Sequence, residues 1–223
     1  MPIQPSDEFE LHTGVPPLYR SPSMSKTTQS QIAKAQSERT LVRFESRFDH
    51  ATVRGYVLDL GPKFFLVAVV SDRIWFDGFE CFRLADVRGL RPDSHSAFVE
   101  SALRIRGERI PEKPPISVAS IEELLLSAGR EFPLITVHLE QADPDVCWIG
   151  RVLSIERGRL SLLGITPGAK WEETPDIYRL IQITRVSFGG DYETALHLVG
   201  GDPMQSIKPC LATGENVASC IGG

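Results

Sequence analysis

The chain has 223 residues, of which 42% are apolar and 24% charged, with a formal net charge of −5. Such a composition fits a folded protein with a packed interior and excludes a collagen-like or wholly disordered chain. The longest apolar run, Phe64 to Val70, is far short of the roughly 20 residues of a membrane-spanning helix, and the acidic start MPIQPSDEFE lacks a signal-like apolar stretch, so a cytoplasmic protein with no membrane partner is expected.

Residues 1–39 mix Pro, Ser, Thr and Gln with few large apolar groups, which predicts disorder with at most a short helix near Gln31 to Glu38. Met24, opening MSKTTQSQIAK, is a plausible second start. From Thr40 the dominant period is two. Val42 and Phe44 alternate with Arg43 and Glu45, the pattern of a half-buried strand. Thr52 to Leu60 and Phe64 to Ser71, joined by Gly61-Pro62-Lys63, predict a hairpin; Phe79 to Asp86 and Val87 to Arg91 predict two further strands. The period then changes, and Val99, Ala102 and Leu103 mark one face of a short helix from about Ser96 to Arg106. Ile110 to Pro115 reads as a stiff, extended spacer. After it, Ser120 and Glu123 form a capping box before Leu124, Leu125 and Leu126, and Gly129 is expected to end that helix.

The pattern then starts again. Thr40 to Val70 aligns without a gap on Ile135 to Ile165 at an offset of 95, matching Gly55 with Gly150, Val57 with Val152 and Leu58 with Leu153. Phe82-Arg83-Leu84 meets Tyr178-Arg179-Leu180, and Glu100 to Leu103 meets Glu193 to Leu196. The second set of strands is predicted at Val146 to Ile155, Leu160 to Thr166, Ile177 to Gln182 and Ile183 to Phe188, and its helix has Asp191 as N-cap, Gly200 as stop and Tyr192, Ala195, Leu196 and Val199 as its apolar stripe. The matching residues are apolar, glycine or turn residues, the set a fold needs rather than the set a reaction needs.

Five short strands followed by a helix, twice over, predict a mainly β protein of two tandem small antiparallel β-barrels. The runs GYVLDLGPKFFLVAVV with FECFRLADVRGL, and GRVLSIERGRLSLLGI with DIYRLIQITRVSF, resemble the Sm-like and SH3-like barrels found in tandem in uncharacterised bacterial proteins. The resemblance covers both repeats and implies the fold and a binding role, with no established activity. The resulting organisation is a disordered segment 1–39, a first barrel 40–107, a linker with a helix 108–130, a second barrel 131–200 and a flexible tail 201–223.

Chemistry-bearing motifs are sparse. Residues 40–107 carry 10 Lys/Arg against 9 Asp/Glu and residues 130–200 carry 7 against 10, so neither repeat has the basic excess of a dedicated phosphate-backbone binder. Arginines at 83, 88, 91, 104, 106 and 109 cluster late in the first repeat; Arg88 and Arg91 are the candidates for weak binding to single-stranded nucleic acid. Arg106-Gly107 resembles part of the RNA-holding motif of true Sm proteins, but the spacing places it on a helix. Trp75 and Trp171 align in the loops Asp72 to Gly78 and Pro167 to Thr174, where each either caps its own barrel or faces a partner. With Phe76 and Phe79 nearby, Trp75 is the better candidate for a protein-binding surface. Asp93-Ser94-His95-Ser96 falls where a helix needs caps rather than where a triad assembles. Cys81 and Cys147 align with Ile177 and Thr52, so both are expected to be small buried residues; Cys210 and Cys220 have no metal-ligand spacing. Phosphate-loop and dinucleotide motifs are absent, and no cofactor or metal is expected. The expected function is a non-enzymatic intracellular binding or scaffold protein with another protein as partner, and the alternative is nucleic-acid binding.

Overall fold

A computed structural model describes residues 26–48 and 52–203. The expected disorder of residues 1–25, the second start at Met24, nearly all of the tail, and Cys210 and Cys220 therefore lie outside the described residues. The first unit runs α1 (Lys26–Glu38), β1 (Leu41–Ser46), β2 (Thr52–Leu60), β3 (Phe64–Val70), β4 (Phe76–Arg83), a 3-10 turn (Leu84–Asp86), β5 (Val87–Pro92) and α2 (Ser96–Ile105). The second runs α3 (Ile121–Glu131), β6 (Ile135–His138), β7 (Cys147–Glu156), β8 (Arg159–Gly164), β9 (Asp176–Arg179), a 3-10 turn (Leu180–Gln182), β10 (Arg185–Phe188) and α4 (Asp191–Gly200).

The protein is mainly β, as its alternation predicts, but the ten strands form one antiparallel sheet in the order β5-β1-β2-β3-β4-β10-β6-β7-β8-β9. The two separate closed barrels of the sequence reading are replaced by an open sheet with β5 and β9 at its ends. The reason is a ladder between the units: β10 pairs with β4 from Arg185·Phe82 to Phe188·Phe79. Each unit has the internal order fifth-first-second-third-fourth strand, so the fourth strand of one unit receives the fifth strand of the other.

The short helix expected near Gln31 to Glu38 is longer than expected, α1 starting at Lys26. Only Ile32 and Ala35 of α1 are buried, packed into the first unit's core, and two apolar residues leave little periodic signal. The start of α1 precedes that of α3 by the repeat offset, so α3 is the second unit's own leading helix as well as part of the connection. Its capping box forms as expected, with Glu123 N–H donating to Ser120 Oγ at 3.1 Å. Gly129 does not end α3, which continues to Glu131; a Cβ there would sit 2.8 Å from Val152 Cβ, so this glycine lets the helix lie close on β7. The spacer is bound down rather than free: Lys113 pairs with Asp59, and Ile116 and Val118 are buried in the core at the seam.

Glycines retained by both units have a common cause. A Cβ on Gly55 would lie 2.5 Å from Val67 Cγ1, and one on Gly150 would lie 2.8 Å from the Leu163 carbonyl carbon, so both let the next strand approach. Strand β3 is buried on both faces. Phe65 and Val67 enter the first unit's core with Phe44, Phe82 and Ile32, whereas Phe64 and Leu66 enter a second core with Leu124, Leu125, Val137, Leu160, Val186 and Phe188. That second core belongs to neither unit alone.

Two further expectations change. Of the predicted apolar stripe of α4, only Leu196 is buried; Tyr192 and Val199 are exposed, because α4 touches the sheet along a single line beside Leu134 and Ile165. The helix stops on Gly201 (φ +60°) rather than Gly200, and Asp77 of the first unit supplies its cap, accepting from Asp191 N–H at 2.8 Å. Cys81 is buried as expected, while Cys147 is exposed at the start of β7.

Phe188 lies 4.9 Å from the Phe132 ring and 6.0 Å from the Phe79 ring within the shared core. Phe188→Ala is expected to cost about 3–5 kcal/mol, read in urea unfolding as a lower midpoint of one transition reported alike by probes in both units.

Candidate functional site

The residues singled out in the sequence are placed in different parts of the fold. Trp75 is half-buried; its carbonyl accepts from Ser71 N–H at 3.0 Å, and the Arg73 guanidinium stands 5.9 Å from its ring. The loop is further held by Arg106, which donates to the Ile74 carbonyl at 2.8 Å. Phe76 packs beside Tyr56 in the cluster under α2, and burial together with Glu100 pushes the Tyr56 hydroxyl up to about 12. Phe79 turns instead into the seam core. Trp171 closes the corresponding end of the second unit, donating from Nε1 to the Gly201 carbonyl at 3.1 Å with Arg151 over its ring.

Arg88 and Arg91 are exposed on β5, where Arg91 lies in register with Arg43 and Arg88 with Glu45. Three other arginines of that cluster have structural partners: Arg83 pairs with Asp86, Arg104 donates to Ser101, and Arg106 ties the Trp75 loop. Asp93 is buried, pairs with Arg54 at 2.7 Å and caps the turn before α2 through His95 N–H, while the His95 side chain is exposed. The two Arg54 hydrogen-bonding and charge effects, with the His95 N–H, outweigh burial and hold the Asp93 carboxyl below its usual range. Among the described residues, no group of three or more His, Cys, Asp or Glu could hold a metal ion, and no helix is long and apolar enough to cross a membrane.

One face of the seam is polar. Arg185 of β10 reaches Glu140 at 3.4 Å and Glu80 at 3.7 Å, and it donates to His138 Nδ1 at 3.2 Å. Since a guanidinium only donates, His138 Nδ1 is the acceptor and Nε2 carries the proton, facing Ser187 Oγ at 3.4 Å. Burial, reinforced by Arg185, drives His138 down to about 3 from an ordinary 6.5. Burial raises Glu80, partly opposed by Arg185 and assisted by Glu193, Glu140 and Asp77. This network positions strands and encloses its own charges.

A separate cleft lies elsewhere on the seam. With a volume of about 760 Å³, it runs between the β2–β3 turn, the start of α3, the β7–β8 turn and the end of β9. Lys63, Arg157, Arg159 and Arg179 line it over a floor that includes Phe64, Ile121, Leu180 and Ile181, and Glu122 is its only acidic lining residue. All four cations are exposed, and among the described residues none of their side chains makes an ion pair or hydrogen bond. Arg159 stands directly opposite Arg179 across the β8·β9 ladder. Like charges in that arrangement oppose strand pairing, and the first unit has Phe64 opposite Arg83 at the same place. The fold therefore does not require Arg159.

No protein-family model, no curated protein and no solved structure matches this chain.

The sequence reading took Lys63 and Arg157 as residues of the turns Gly61-Pro62-Lys63 and Glu156-Arg157-Gly158 and Arg179 as part of a repeat match, and gave Arg159 no role. The available signal was that both hairpin turns are basic; what was missing was the seam that brings them together.

Acid should act through His138. Its folded form resists protonation, so the unfolded chain binds the extra proton and stability is lost as pH falls from 6.5 toward 3. Glu80, raised in the folded state, contributes with the opposite sign. His138→Gln, which still accepts from Arg185, is expected to lose less stability than the parent between neutral pH and pH about 4.5, measured as the shift in urea midpoint.

Proposed function

We propose that this chain is a non-enzymatic binding protein built from two Sm-like or SH3-like modules joined edge to edge, and that its seam cleft takes an extended, phosphate-bearing polyanion, namely single-stranded nucleic acid. The observation that carries the reading is the convergence of Lys63, Arg157, Arg159 and Arg179, all without an ionic partner among the described residues, on one cleft lined by a single carboxylate. Two arginines opposed across a ladder repel one another, and a bound phosphate removes that cost. The first module gathers apolar side chains of its own, Val42, Phe44, Val57, Phe65 and Phe82, from four of its strands, which supports the small-barrel reading of the unit.

This moves the nucleic-acid reading from Arg88 and Arg91 to the seam. A protein partner at Trp75 has less support, because that ring is half-buried, covered by Arg73 and set in a loop bound to α2. The overall charge of −5 favours a short, locally guided contact over wrapping of long nucleic acid.

Titration of fluorescein-labelled oligo(U) should give a log–log salt slope of about −3, from about 0.7 per phosphate neutralised. Arg157→Glu with Arg159→Glu should weaken binding by at least about tenfold and flatten that slope, with unfolding midpoints unchanged or raised. Arg88→Ala with Arg91→Ala should leave affinity unchanged. Loss of binding with the β5 pair and not with the cleft pair would refute the cleft.

A further inference from the structure

The two ends of the sheet are unequal, and the internal seam says how. Just past the end of β4, Leu84 N–H reaches the Lys63 carbonyl at 2.8 Å in line with the β3·β4 ladder, so by alternation Phe79, Cys81 and Arg83 direct their backbone groups outward; Arg83 N–H indeed reaches the Thr184 carbonyl at 3.2 Å. In β9 the corresponding bond runs from Leu180 N–H to the Gly158 carbonyl at 3.0 Å, which leaves Ile177 and Arg179 directed outward, with Pro175 ahead of them. Ile177 therefore occupies the place of Cys81. Cys81 is fully buried opposite Val186, whereas Ile177 is 57% exposed and Ile181, beyond it, is 77% exposed.

The opposite end, β5, cannot complete a head-to-tail repeat of the seam. Val137 pairs with Val186 in the second unit, and its equivalent Val42 pairs with Pro92. Asp93 N–H bonds inward to the Leu41 carbonyl, so Pro92 is an outward position and lacks the N–H that Val186 presents to β4. A register shift in the β1·β5 ladder, with Gly89 at φ +61°, and the flanking Arg88 and Arg91 bend and charge the same edge. These are the features by which edges are closed to strand addition.

We propose that β9 pairs with β9 of a second chain, antiparallel about a two-fold axis through Ile177, making this protein a homodimer. An antiparallel strand paired with itself must match residues of the same parity, so the axis passes through a residue rather than between two. About Ile177, its N–H and carbonyl exchange bonds with those of the second Ile177, and Arg179 N–H meets the second chain's Pro175 carbonyl. On the other face Asp176 lies opposite Tyr178, an acceptor opposite a hydroxyl, matching the 3.3 Å contact these side chains make within one chain. No like charges are opposed, whereas an axis through Arg179 would set arginine against arginine. The pairing continues an interface the fold already contains, since the same edge of β4 carries β10. A two-fold contact closes after two chains and leaves the blocked β5 edges outermost.

Sedimentation equilibrium of the full chain tests this independently of any ligand, so its failure leaves the cleft reading untouched. The expected result is a dimer whose dissociation constant rises at least about tenfold in Ile177→Lys, a change of about 1.4 kcal/mol, with circular dichroism unchanged. In a background with Cys147, Cys210 and Cys220 replaced by Ser, Ile177→Cys should oxidise to a covalent dimer. Directly opposed residues lie about 5.5 Å apart at Cα, within disulfide reach of about 4.4–6.8 Å. Asp72→Cys should not cross-link. A monomer at all concentrations, a dimer indifferent to Ile177→Lys, no cross-link through Ile177→Cys, or larger assemblies lost on Arg91→Glu would each overturn the proposal.

Discussion

The constraint on which this architecture depends is the antiparallel ladder between β4 and β10. Its four residue pairs satisfy backbone groups that both strands would otherwise present to water, and they fix the rotation of one unit against the other. Fixing that rotation lets Phe64 and Leu66 of β3 point away from their own unit and still be buried, beneath α3 and against the second unit. The polar face of the same ladder is held by Arg185, which serves Glu80 from one unit and Glu140 from the other. Removing the seam would expose an apolar face of β3 and part Arg185 from Glu80, so the units are interdependent rather than beads on a linker.

The cleft follows from the same geometry. Equivalent hairpin turns, at residues 62–64 and 157–159, lie on one side because the sheet carries one unit into the next with its sense preserved. Duplication supplied the scaffold, and divergence supplied the charge: Phe64 remains a floor residue, while its counterpart Arg159 faces Arg179. A chain with net charge of −5 can thus concentrate four cations where its two copies meet.

Much of the local structure is legible in the amino-acid order. The alternation at Val42 and Phe44, the turn at Gly61-Pro62-Lys63, the cap at Ser120 and the paired Gly55 and Gly150 all state near-neighbour requirements, and each is met where expected. The 3-10 turns at Leu84–Asp86 and Leu180–Gln182 were absorbed into strands because a single turn leaves the apolar period intact. What the pattern cannot carry is which edge pairs with which. Phe79 illustrates the limit: adjacent to Trp75 and Phe76 in sequence, it has the apolar character of either an exposed patch or a core. Only the β10 ladder assigns it to Phe188 and Phe132. The cationic cleft was invisible for the same reason, since Lys63 and Arg157 are brought together by a seam rather than by sequence spacing.

Duplicated modules that join edge to edge face a problem of termination. Every added unit reproduces the two edges it consumes, and a sheet able to pair internally is able to pair again with another chain. The two copies differ at the strands where that would happen. In the place of Val186, buried within the seam, the first unit has Pro92, and a register shift at Gly89 turns the strand away. In the place of Cys81 the second unit has Ile177, a larger apolar side chain left in solvent. Selection for solubility alone would be expected to make both ends polar, since a polar edge is the soluble solution for a free strand. Closure at one end and added apolar surface at the other instead separates the end that must remain single from the end that gains by being covered. It also explains why the fifth strands, although equivalent in order, share so few residues: one is interior sheet and the other is a boundary.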